Sequence, residues 1–205
     1  MSHFSLLRDR RGVAALEFAL IAPVFILIYV VGVDLVFLIQ NNFRVEQAAI
    51  QDIQVITQFT NLYDDDFTNT FFPVIETIAG NGSNKTLTDS TQVACAATIS
   101  GLDYPATGVR AGLLSIVWQK SYVIGTCTAN KIGTFDNNTK LPVAPTLSNY
   151  TPAAGVPYVV VEVASQYTFT GLSALKLGAS HLQYSAAMAI PRQRVLPPIT
   201  QGNRP

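Results

Sequence analysis

The side chains able to do chemistry in this sequence are few and widely scattered. The triple aspartate Asp64, Asp65 and Asp66 is a candidate calcium site, yet it lacks the alternating acidic spacing and distal glutamate of an EF-hand loop. A solvated helix start explains it better, because carboxylates are favoured at the positive end of a helix dipole. Ser180 and His181 are adjacent, but no G-x-S-x-G elbow and no phosphate-binding glycine loop accompanies them. Glu162 is a single acid in a valine-rich run and is expected on a solvent face. Paired carboxylates, a metal triad and a nucleotide fingerprint are all missing from the sequence, so no cofactor is expected. Two features remain. Cys95 and Cys127 form an even pair. Glu17 lies inside an apolar run, five residues after a glycine, Gly12, that follows the arginines Arg8, Arg10 and Arg11.

The elements that carry these groups follow from hydropathy. Between Val13 and Ile39 only Glu17 and Asp34 carry charge. A helix of that length extends roughly 40 Å, more than the ~30 Å hydrocarbon core of a bilayer. It reads as a single membrane helix with some length to spare for tilt. Arg8, Arg10 and Arg11 precede it, whereas Arg44 is the one basic residue between it and Lys85. The positive-inside rule therefore puts the N-terminus in the cytoplasm and the body outside. Cysteines in an oxidising compartment most often pair. A Cys95–Cys127 disulfide would close a loop of about 32 residues and contribute roughly 3–4 kcal/mol. Separate buried thiols are the alternative. Zero formal charge gives no sign of a nucleic-acid partner.

Residues 40–61 (QNNFRVEQAAIQDIQVITQFTN) contain no Gly or Pro. Phe43, Ala49, Ile53, Ile56 and Phe59 recur near helical spacing, so the membrane helix is expected to continue into an amphipathic half. Residues 64–79 suggest a second helix, weakened in its middle by Pro73. The period then becomes two. Residues 92–100, 113–123, 158–170 and 182–190 read as strands separated by Gly, Pro and Asn turns. They predict an antiparallel meander packed against the helix, an α+β fold. The expected organisation is a leader at 1–12, the membrane helix at 13–39, its continuation at 40–62, an α+β body at 63–190 and a loose tail at 191–205.

The order of basic leader, Gly12, the apolar quartet Val13 to Leu16, Glu17 and an unbroken apolar helix resembles the class III signal of prepilins. The wording GVAALEFALIAP is most similar to the TadE-like minor pilins (pseudopilins) of the Tad/Flp pilus system. The endings YVVVEVASQYTF and YSAAMAIPR fit that pattern more loosely. The resemblance implies a pilin-like fold and a structural role, not an enzyme. It also implies cleavage between Gly12 and Val13 by a prepilin peptidase. Its implied partners are other minor pilins, the major Flp-type pilin and the inner-membrane assembly platform. The implied location is the bacterial inner membrane as a single pass with the body in the periplasm, or the extracellular pilus after assembly.

Chemistry supports the same order. Cleavage would free an α-amine on Val13, one helical turn from Glu17. A carboxylate in apolar surroundings needs a partner, and that amine, from its own or a neighbouring chain, would set the register between stems. Asp34 either pairs between subunits or meets water at the outer interface, and Pro23 bends or locally opens the helix. An ordinary secretory signal fits poorly, because the apolar run is too long and Glu17 interrupts its start. Two other classes remain open on residues alone. One is a membrane-anchored adhesin or binding module that does not polymerise, and the other an enzyme built around His181.

Overall fold

The computed structural model describes residues 10–79, 92–108, 111, 115–123, 153–168 and 180–202. The chain divides into two compact units. One comprises Met1–Ile39 with Phe169–Ala179, and the other Gln40–Thr168 with Ser180–Pro205.

Helix α1 spans Arg10–Ile56, so the membrane run and the amphipathic segment form one helix, as their lack of a stop signal implies. It ends earlier than expected. The Thr57 hydroxyl donates back to the Ile53 carbonyl at 2.8 Å, and the Thr57 carbonyl accepts Arg192 N–H at 3.0 Å. A bond from outside the helix thus takes the acceptor that a further turn would use.

In the body, the buried face of α1 is Asn41, Val45, Ala48, Ala49, Asp52, Ile53 and Ile56. Phe43, expected on that stripe, is 58% exposed. The true stripe contains two polar residues, and a count of apolar positions therefore tilts away from it.

A two-residue strand β1 (Leu62–Tyr63) leads into a first helical turn, α2 (Asp64–Asp66). A wide π-helical turn at Phe67–Phe71 follows, and then α3 (Phe72–Ala79). The Asp66 carboxylate accepts Tyr63 N–H at 3.0 Å and caps the start. Asp64 pairs with Lys120 at 2.8 Å. The π turn has a local cause. Pro73 has no N–H for the carbonyl four residues back and its ring would strike it. Widening the preceding turn, with Phe72 N–H donating to the Phe67 carbonyl, relieves both problems.

The four-stranded sheet consists of β2 (Gln92–Asp103), β3 (Ser115–Val123), β4 (Tyr158–Thr168) and β5 (Ser180–Ala189). All pairings are antiparallel, in the order β3-β2-β4-β5. This departs from a simple meander, because β4 joins the far side of β2 instead of pairing with β3. The β4 sequence explains the choice. Val159, Val160, Val161, Val163 and Ala164 are all at most 1% exposed, so both faces of β4 are covered and it belongs in the centre. β3, with Gln119, Lys120 and Ser121, takes the edge.

Odd-numbered β4 residues face the main core, in which α1 and α3 pack on Ala97, Ile99, Val159, Val161, Val163 and Ala187. Phe67 lies edge-on to Phe71 at 5.5 Å and to Trp118 at 6.0 Å. A second cluster on the opposite face joins Leu102, Ile116, Tyr158 and Val160.

Residues 191–202 also differ from expectation. Strand β6 (Ile199–Thr200) pairs in parallel with β1, Leu62 against Ile199 and Tyr63 against Thr200. Leu62 N–H donates to the Pro198 carbonyl at 3.0 Å. Leu196 and Ile199 pack against the main core, so this polar-looking, proline-rich segment contributes apolar surface.

Candidate functional site: the N-terminal stem

The candidate site is the helix itself. Arg8 lies outside the described residues, and Arg10, Arg11, Gly12 and Val13 form the first helical turn of α1. A peptidase acting between Gly12 and Val13 would have to unwind that turn. Glu17 is exposed, open to a partner outside its own helix. Its neighbours Leu16, Phe18 and Leu20 are 71%, 72% and 75% exposed. Most apolar side chains stay uncovered through Ile39, with Pro23 contained within the helix, while Val30, Val33 and Leu38 are half-buried along one face. In water such a surface would drive association, and its expected surroundings are lipid or other helices. The helix is long and apolar enough to cross a membrane, with a mean hydropathy of 2.6 over its best window. Asp34, expected to pair or to meet water, is buried at 1% exposure.

The family model for TadE-like protein matches residues 12–51. Along this helix the chain is TadE-like. The matched stretch of the TadE-like stem starts at Gly12, includes Glu17 and runs into the buried helix face of the body. TadE-like proteins are structural and associated with the Tad pilus. No curated protein and no solved structure matches the chain.

Among the described residues, the other sequence candidates do not gather into a centre. His181 is exposed on the edge strand β5. Asp64 and Asp66 are engaged as described above. Among the described residues no group of three or more His, Cys, Asp or Glu is placed to hold a metal. Cys127 and the side chain of Cys95 lie outside the description, and the Cys95 backbone sits where the β2–β4 register shifts between Ala94 and Ala96.

Glu162, expected to face solvent, is fully buried, and Tyr184 donates its hydroxyl to the Glu162 carboxylate. Burial, then that bond, then the carboxylate charge raise the Tyr184 pKa. Tyr122, stacked on Phe72 at 5.4 Å, is also raised, by desolvation first and Glu76 second.

Sequence reasoning missed the polar groups on the buried face of α1. The Asn41 amide donates to Gln183 Oε1 and Ser165 Oγ, tying the helix to β5 and β4. Asp52 is fully buried, and neither carboxylate oxygen has a hydrogen-bond partner among the described residues. Burial pushes its pKa up from 3.8 to about 8. The signal was present: Asn41, Val45, Ala48 and Asp52 follow alternating three- and four-residue steps, the spacing of one helix face.

Proposed function

We propose that this chain is a minor pilin, or pseudopilin, of a Tad/Flp-type pilus, acting in priming or assembly after cleavage by a prepilin peptidase. The observation that carries this reading is the family match, which begins at Gly12 and spans Glu17 and the apolar helix. In this reading the arginines hold the leader in the cytoplasm, and a single pass delivers the body to the periplasm. Cleavage after Gly12 leaves Val13 as the new terminus. The exposed apolar stem then moves from lipid to the stems of other minor pilins and of the major pilin, with the inner-membrane platform as the assembly site. Cys95 and Cys127 form a disulfide in the oxidising compartment. The body serves as the exported, surface-contacting part.

Glu17 carries the most specific role. Its carboxylate pairs with the Val13 amine released by cleavage and fixes the axial register of neighbouring stems. The test is Glu17→Ala, followed by immunoblots of processed chain in the membrane and in sheared surface filaments. The expected outcome is normal cleavage with loss of the chain from the assembled fraction. Normal cleavage with wild-type incorporation would exclude the register role.

A further inference from the structure

Asp52 sits where a carboxylate is hardest to justify. It lies on the buried face of α1 between Ala48, Ala49, Ile53 and Ile56, each at most 3% exposed. It is itself fully buried, and both oxygens lack a hydrogen-bond partner among the described residues. A buried ionised carboxylate without a partner is costly enough that the group normally takes a proton instead.

Among the described residues, the surroundings offer no compensating cation. On the sheet, β2 and β4 turn Ala97, Ile99, Val159, Val161 and Val163 toward the helix, none of them titratable. On β3, Lys120 is engaged by Asp64, and Tyr122 stacks on Phe72. On β5, Tyr184 is turned to Glu162 and His181 is exposed at the far end of the strand. From α2 and α3 come only acids, Asp64, Asp65, Asp66 and Glu76. Beyond β5, Arg192 and Arg194 are exposed, as is Glu46 on α1, whose Arg44 is half-buried. Desolvation is accordingly the sole cause of the raised Asp52 pKa.

We propose that Asp52 is a proton-controlled lock between the body half of α1 and the sheet: the neutral acid packs in the interface, and loss of its proton to solvent loosens the helix from the sheet. The lock acts on the segment that links the apolar stem to the folded body. It holds whether or not the chain is cleaved after Gly12. More acidic surroundings tighten the coupling, and more alkaline surroundings release it.

The test uses the full chain in detergent micelles between pH 6 and 8.5. Hydrogen–deuterium exchange reads the protection of the α1 amides near Asp52. The emission of Trp118, the single tryptophan, reads the same core. In the wild type, protection is expected to fall as pH rises, by up to roughly tenfold per pH unit until the folded-state pKa is passed, with a parallel shift in Trp118 emission. Asp52→Asn should remove this dependence, as should Asp52→Leu, which fills the site with carbon; either variant suffices should the other fail to fold. Wild-type protection that is flat over this range would overturn the proposal. So would variants that keep the wild-type slope.

Discussion

Two single residues set conditions that no neighbour can replace. Asp52 makes folding stability depend on pH. Its folded-state pKa of about 8 lies above the ordinary value of 3.8, so the folded chain holds a proton that the unfolded chain releases. The stability that Asp52 contributes is therefore fully present below about pH 4 and is lost as pH rises through about 8. Between pH 5 and pH 7 the loss is about 3 kcal/mol, and denaturant midpoints should move down accordingly in the wild type but not in Asp52→Leu. Gly101 sets a steric condition. The indole of Trp118 lies directly over it, and a methyl group there would overlap the ring. Gly101→Ala is expected to cost about 1–3 kcal/mol, read as a lower midpoint, because the indole must leave its place beside Phe67. At this scale the TadE-like character of the stretch from Gly12 was legible from residue types alone. Asp52 was not, because a carboxylate on a helix is assigned to the solvent side unless its spacing is weighed above its polarity.

Among the elements, the long helix, the second helical region and all four sheet strands were visible as changes of period. Their connections were less so. The valine run of β4 reads equally well as an alternating half-buried strand or as one buried on both faces, and only the second puts it in the centre beside β2. The π turn before Pro73 is a compensation that the proline requires but does not itself specify. The C-terminal segment differs from its sequence pattern for a similar reason. Proline and polar residues suggest a loose tail, yet Leu196 and Ile199 pack on the core and β6 pairs with β1. Ending the chain after Arg194 would expose Leu62 and remove both side chains. The expected loss is about 2–4 kcal/mol, measurable as a lower thermal midpoint of the body, with the helical content of the stem retained.

At the level of the whole molecule, labour is divided along one helix. Its first part is largely apolar and carries Gly12, Val13 and Glu17, the residues to which the proposal gives processing and register. Its last part is tied to a sheet by Asn41 and by the core beneath Val45, Ala48, Ile53 and Ile56. The TadE-like match spans most of this helix and stops at Gln51, before the sheet begins. The stem and the start of the body half of the helix are therefore the part of the chain that resembles TadE-like proteins. The measurement that bears most directly on the central claim is mass spectrometry of the intact chain's N-terminus, in cells with and without the prepilin peptidase. The account predicts a chain beginning at Val13 when the peptidase is present and at Met1 when it is absent. A chain that begins at Met1 in both, or well beyond Ile39, would contradict it.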